Sequence, residues 1–207
     1  TLNEIESKKM LAKHGFNIPK SFLVTSEKVL EVAKEICYPV VLKAVNSDIL
    51  HKTEVDGVKL NLKTESEVEQ ALSKIKGIGD YFLVEEMITD SVAEFVLGAT
   101  LDVQFGPTIT IGAGGVFTEL IEDKVTFFLP VSEKHISRAI RKLKINKILK
   151  GWRGRSMGDI DSLIESVQNL ANFVESHSDS LVECEINPLI VRSFGKKVTI
   201  ADALIIL

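Results

Sequence analysis

Lys43 interrupts the apolar run Val40-Val41-Leu42-Lys43-Ala44-Val45. Burying an ammonium in such a run costs about several kcal/mol unless an anion meets it. A phosphate is the natural anion, although a stem that packs while its head reaches water fits the same residues. His51 lies in the polar stretch from Asn46 to Thr53. Its ring keeps a nitrogen lone pair at neutral pH and can attack phosphorus, and a surface histidine without a role fits equally. Glu86 ends Leu83-Val84-Glu85-Glu86, and Glu94 follows eight residues later. Such carboxylates accept hydrogen bonds from ribose hydroxyls or an adenine amine, or stand solvated.

Gly112-Ala113-Gly114-Gly115 separates two apolar runs, so Gly114 and Gly115 permit either close backbone approach to a ligand or a sharp turn. Near the C-terminus, Glu185-Ile186-Asn187-Pro188 ends one β-rich run and Asp202 falls in the next. A carboxylate, an amide and a second carboxylate are hard oxygen donors of the kind that hold magnesium against phosphates. Cys37 and Cys184 have no second Cys or His at metal-ligand spacing and read as reduced core thiols, with a disulfide between them as the alternative. His14, His135 and His177 fall in expected helices without partners and read as structural.

These residues need elements to hold them. Leu2, Ile5, Met10 and Leu11 predict a helix over 3–14, stopped by Gly15. A strand at 21–25 leads to Ser26 as N-cap of a second helix, and strands follow at 40–45 and 58–62. Thr64 and Glu67 form a capping-box pattern for a helix ending before Gly77, followed by a strand at 81–87. Beyond Glu94 the pattern changes to successive strands at 95–101, 108–111, 116–121 and 125–131. Helices are expected at 133–149 and 159–177, then β-rich runs at 181–192 and 198–207. The expected architecture is α+β, two lobes spanning 1–88 and 89–207, with the ligand in a cleft between them.

The 207 residues carry a formal charge of −4 and 45% hydrophobic residues. That balance predicts an ordinary globular chain and no broad positive field for nucleic acid. No apolar run reaches the roughly 20 residues that cross a bilayer, and Glu4 and Glu6 stand where a signal peptide would be basic, so the expected compartment is the cytoplasm.

Taken in order, these pieces resemble the ATP-grasp domain of the ADP-forming acetyl-CoA synthetase family, and more distantly the nucleotide-binding subunit of succinyl-CoA synthetase. The resemblance runs the whole chain, through Gly15-Phe16-Asn17-Ile18-Pro19, Tyr38 to Lys43, Ser47 to Lys52, Asp102 to Pro107, Gly112 to Glu119, Gly151-Trp152-Arg153-Gly154, Glu185 to Pro188 and Asp202. It implies an ATP-grasp fold and the conversion of acyl-CoA, ADP and phosphate to free acid, CoA and ATP. Lys43 matches the phosphate-binding lysine, Glu86 a residue at the adenine end, Glu94 the ribose acid, and Gly114 and Gly115 the glycine-lined backbone. Asn187 and Asp202 match the magnesium-binding pair, with Glu185 as a nearby acid.

His51 matches a histidine on a mobile loop, 46–56, that receives the phosphoryl group and carries it to ADP. The implied partner is an α-type CoA-binding subunit, in an α2β2 heterotetramer. Asp56, Phe127 and Glu85 stand where the family pattern has glycine, arginine and glutamine. Asp56 and Phe127 leave open a regulatory module that binds nucleotide without relay chemistry; a third reading is another ATP-grasp ligase that forms an acyl phosphate directly and lacks a CoA partner.

Overall fold

The structure is a computed structural model and describes residues 1–45, 57–102, 104–115 and 122–207. The expected strand at 116–121 and the histidine loop at 46–56 lie outside the described residues. The chain divides into two units, one of residues 19–89 and one of residues 1–18 with 90–207.

The larger unit contains the first helix, α1 (Glu4–Ala12), which opens on a capping box between Asn3 and Glu6. Gly15 follows it with φ +89°, the left-handed conformation that ends a helix. Residues 1–18 do not belong with the residues that follow them in sequence. The Ile200 N–H donates to the Asn17 carbonyl at 2.9 Å, and the Asn17 amide donates to the Val198 carbonyl at 3.1 Å. These bonds fix the N-terminal segment to the far end of the chain.

The smaller unit comprises β1 (Ser21–Val24), α2 (Val29–Ile36), β2 (Val40–Val45), β3 (Val58–Leu62), α3 (Glu65–Ile75) and β4 (Tyr81–Glu86). Its antiparallel sheet has the order β1-β4-β2-β3. Val40, Leu42 and Ala44 alternate with Val41, Lys43 and Val45, and the first set packs with Val32, Ala33, Val68, Ala71 and Ile75 of the two helices. Thr64 caps α3 by accepting the Glu67 N–H. Ser26 does not cap α2: it starts a 3-10 turn, Ser26–Lys28, and α2 begins at Val29. Cys37 is an exposed free thiol rather than a core one, because it ends α2 at φ 76° and its side chain faces solvent.

The larger unit continues with β5 (Ser91–Asp102), β6 (Gly106–Ala113), β7 (Lys124–Phe128), α4 (Glu133–Ile140), α5 (Asn146–Leu149), α6 (Ile160–Ser176), β8 (Glu183–Arg192), β9 (Val198–Ile200) and β10 (Ala203–Ile206). Its sheet has the order β10-β8-β5-β6-β7, with β9 also on β8. Phe95, Leu97, Ile109, Ile111, Phe127 and Ile186 meet Leu163, Val167, Leu170 and Phe173 of α6 in the core. Two expected elements are broken. The helix expected at 133–149 splits because both carboxylate oxygens of Asp123 accept backbone N–H groups, from Lys144 and Ile145, at 2.8 Å each. A side-chain acceptor there competes with the helical ladder and restarts the chain as α5. The run expected at 198–207 divides into β9 and β10 around Ala201 and Asp202.

Asp159 joins α6 to the β8–β9 turn. It accepts the Ser162 N–H at 3.2 Å, and the Gly195 and Lys197 N–H groups at 3.0 Å each, while itself buried. Asp159→Ala is expected to lose about 2–3 kcal/mol in urea unfolding, a helix cap plus the bonds to the turn. A loss below about 0.5 kcal/mol would show that other bonds hold the turn. Burial, then the nearby Glu183 and Glu185 charges, push the Cys184 thiol up to about 12. A thiol reagent near pH 8 should therefore label Cys37 in the native protein and Cys184 only after denaturation.

Candidate functional site

In the smaller unit, β2 and β4 present Lys43 and Glu85 on the face opposite the helices. The register sets Lys43 across from Leu83 and Val41 across from Glu85, so the two charged residues are diagonal neighbours. Lys43 Nζ lies 3.2 Å from Glu85 Oε1, with side chains 6% and 3% exposed. The buried ammonium therefore has a protein carboxylate as its counter-ion, a partner the sequence reading did not assign. Glu86, the next residue, ends β4 exposed to solvent, across from Val40, and its N–H donates to the Lys20 carbonyl at 2.9 Å.

The larger unit collects most of the remaining candidates on one face of its sheet. Along β5, Ala93, Phe95, Leu97 and Ala99 enter the core, which turns Glu94, Val96 and Gly98 to the other face. Glu185 pairs with Gly98 across β5 and β8 and so shares that face. At the C-terminal half of β8 a register shift between the Phe95 and Leu97 pairings sets two residues, Asn187 and Pro188, against Val96. This bulge turns the strand locally, as bulges do beside functional sites. On the other edge of β8, Ala203 pairs with Ile186, and Asp202 stands beside Asn187 at the gap between β9 and β10. The Asn187 N–H donates to the Asp202 carbonyl at 3.1 Å, and the Ala201 N–H to the Pro188 carbonyl at 3.0 Å.

These side chains suit a hard cation. The Asn187 amide nitrogen donates to Glu185 Oε1 at 3.1 Å, which leaves the amide oxygen as the donor atom available for a metal. One carboxylate oxygen of Asp202 accepts the Ala203 N–H at 2.8 Å, which orients the side chain. Oxygen donors of one acid and one amide, with a second acid adjacent, match magnesium chemistry. Among the described residues no group of three or more His, Cys, Asp or Glu gathers at metal-binding distance.

Glycine has a physical role where β6 ends. The Gly114 N–H donates to the Glu94 carbonyl at 2.7 Å, and a Cβ there would meet Phe95 backbone at 2.9 Å. Gly115 has φ +76°, and a Cβ on it would stand 3.1 Å from Glu94 Oε2. The structure thus brings Glu94, Gly114 and Gly115 together.

His51 lies outside the described residues. Phe127 faces the core at 7% exposure, opposite Ile109, so a cation at that position would point away from the open face. His14 and His177 are not without partners: their rings lie 5.5 Å apart, each against Phe173, and His135 Nδ1 lies 3.2 Å from Ser132 Oγ. Burial and then the neighbouring His177 lower the His14 pKa. Arg153 holds φ 54° between Gly151 and Gly154, both at positive φ, in an exposed turn with Trp152.

A family model described as an ATP-grasp domain matches residues 1–207, and the chain belongs to that family. It is 32% identical to subunit beta of acetate–CoA ligase [ADP-forming] II of Pyrococcus furiosus, over 99% of this chain and 90% of that one. It is 35% identical to the 4-hydroxybutyrate–CoA ligase [ADP-forming] of Nitrosopumilus maritimus, over 97% of this chain but only 30% of that protein. Among solved structures, PH1788 from Pyrococcus horikoshii superposes with a TM-score of 0.88 at 33% identity, covering 100% of this chain and 91% of that one. The acetyl-coenzyme A synthetase 1 of Ca. Korarchaeum cryptofilum, solved with coenzyme A and Mg-AMPPCP and with its phosphohistidine segment pointing towards the nucleotide binding site, superposes with a TM-score of 0.85 at 33% identity. That match covers 100% of this chain and 92% of the other.

The Lys43–Glu85 pair generates a stability test. Glu85→Gln removes the carboxylate from a buried ammonium and is expected to cost about 3 kcal/mol. The double change Lys43→Met with Glu85→Leu should cost less than Glu85→Gln alone, because it removes both charges. Urea unfolding of the three proteins checks the order, and a double variant less stable than the single one would contradict it.

Proposed function

We propose that the chain is the nucleotide-binding, β-type component of an ADP-forming acid:CoA ligase, which converts acyl-CoA, ADP and phosphate to acid, CoA and ATP. The observation that carries this reading is the sheet face that has Glu94 on β5, Gly114 and Gly115 just past β6, Glu185 and Asn187 at the β8 bulge, and Asp202 beside it. It occurs in a chain that matches 90% of a named β subunit.

In this reading the substrates are ADP or ATP. Lys43 binds a nucleotide phosphate, Glu86 lies at the adenine end, and Glu94 accepts hydrogen bonds from the ribose hydroxyls. The Gly114–Gly115 backbone comes close to the phosphates. Asn187 and Asp202 hold magnesium, with Glu185 orienting the Asn187 amide. When bound there, magnesium offsets negative charge on the nucleotide phosphates. His51 takes a phosphoryl group as a neutral ring and gives it to ADP, carried by the loop at 46–56.

The acyl phosphate is made elsewhere, on an α-type CoA-binding partner, in an α2β2 assembly. Acyl selectivity then belongs to that partner. Among the described residues no helix is long and apolar enough to cross a membrane, and the proposed compartment is the cytoplasm.

The test is reconstitution with an α-type partner, acetyl-CoA, magnesium and radiolabelled phosphate, followed by phosphohistidine mapping. Label on His51 that ADP discharges as ATP is the expected result. His51→Ala should then lower ATP formation by at least about a thousandfold, the scale on which loss of a covalent nucleophile acts. Label confined to the partner would remove His51 from the reaction, and nucleotide binding with no label on either chain would make the chain a regulatory module.

A further inference from the structure

Helix α1 docks through polar residues. Its buried positions are Glu4, Ser7, Lys8 and Leu11, three of the four polar. Glu4 and Lys8 form an ion pair one turn apart at 2.9 Å, with side chains 4% and 2% exposed. Lys8 Nζ also donates to the Ala201 carbonyl at 3.2 Å. Ser7 Oγ accepts the Ile205 N–H at 3.2 Å, and the Leu2 N–H donates to the Ile205 carbonyl at 2.8 Å.

The helix therefore grips the chain within the gap between β9 and β10, at Ala201, and beyond it, at Ile205. The Ala201 carbonyl belongs to the same peptide plane as the Asp202 N–H, so fixing that oxygen fixes where the Asp202 backbone begins. The Ala201 N–H and the Asp202 carbonyl are both bonded to β8, at Pro188 and Asn187. With Lys8 on the remaining carbonyl, the two-residue gap is held from two directions.

A buried ion pair is weak grounds for stability, since desolvation of both charges offsets their attraction, and an apolar pair of the same volume serves packing as well. What an apolar pair cannot do is donate a hydrogen bond to a carbonyl in a strand break. We propose that Lys8, held by Glu4, is a positioning residue for the metal site: it fixes the Ala201–Asp202 peptide so that the Asp202 carboxylate stands beside Asn187. This rests on the reading of Asn187 and Asp202 as the magnesium pair. It adds a residue nearly 200 positions away in sequence that touches neither metal nor nucleotide.

The experiment is Mn2+ binding to the full chain with ADP, followed by electron paramagnetic resonance of the free ion. The proteins are wild type, Lys8→Met, Lys8→Arg, Glu4→Gln, Leu11→Ala and Asp202→Asn. Lys8→Met should weaken Mn2+ binding about tenfold, the lower end for loss of a group that orients a metal ligand. Metal-free ADP affinity should stay unchanged. Lys8→Arg, which can still donate to the carbonyl, should recover most of the loss. Leu11→Ala, a cavity in the same helix, should lower stability and leave Mn2+ affinity as in wild type.

If Lys8→Met does not fold, Glu4→Gln carries the test, with a loss of about threefold expected. Asp202→Asn separates the two levels of the argument. Wild-type affinity in Lys8→Met, or in Glu4→Gln where that variant stands alone, together with lost affinity in Asp202→Asn overturns the positioning role and leaves the metal site standing. Wild-type affinity in Asp202→Asn overturns the metal site itself. Equal loss in Leu11→Ala and Lys8→Met reduces Lys8 to a general structural residue.

Discussion

Along β8 the pairing with β5 runs the length of one edge with a bulge at Asn187 and Pro188, while on the other edge the pairing passes from β10 to β9 across Ala201 and Asp202. The candidate acids of the larger unit depend on that arrangement. A strand paired on both edges over its whole length alternates its side chains strictly and leaves no room for convergence. The bulge at Asn187 and Pro188 on β8, set beside the gap, brings the backbone of Asn187 against that of Asp202, joined by a hydrogen bond of 3.1 Å. The core face of the same strands stays filled by Phe95, Leu97 and Ile186. The apolar side of the sheet supplies the rigidity, and the irregularity beside the candidate acids lies at Asn187 and Pro188 of β8 and at Ala201 and Asp202 between β9 and β10.

Among the described residues a buried ion pair appears twice, with different consequences. In the smaller unit Lys43 meets Glu85 on a sheet face with buried Val41 and Leu83 as neighbours. Under the proposed function, Glu85 and the nucleotide phosphates compete for one ammonium, so Lys43 contributes less to holding nucleotide than an isolated lysine would. An enzyme that must release ATP as well as bind ADP tolerates that weakening, since uniform tight binding adds nothing to turnover. In the larger unit the Glu4–Lys8 pair faces a backbone carbonyl, and its value lies in geometry.

Lys43 was legible because a lone cation in a β-branched run has to be explained. Its partner carried the same signal, an acid ending the apolar run Phe82-Leu83-Val84, but only the β2–β4 register shows that the two meet diagonally. Asp202 was legible as an acid among Ile, Ala and Leu, whereas the gap that presents it depends on hydrogen bonds to residues far away in sequence. The same cause divides the expected helix at 133–149: Asp123 acts over a separation of 21 residues, which periodicity does not register. Cys37 was misplaced because neighbouring apolar residues say nothing of side-chain direction where a helix ends. The first 18 residues were assigned to the wrong neighbours because sequence order alone does not reveal that Asn17 bonds to Val198 and Ile200.

The charge count at the β8 bulge bears on how a metal would be held. Asn187 contributes no charge, and its amide nitrogen donates to one oxygen of Glu185. An aspartate in its place would add a third carboxylate to Glu185 and Asp202, with repulsion that a bound cation or uptake of a proton relieves. One carboxylate and one amide oxygen are instead too few donors for an octahedral ion that dehydrates reluctantly. The remaining positions have to come from water and from phosphate oxygens. Under the proposed reading Asn187 and Asp202 would hold magnesium jointly with the nucleotide phosphates, and the aim of Asp202 would count for more than accumulated negative charge.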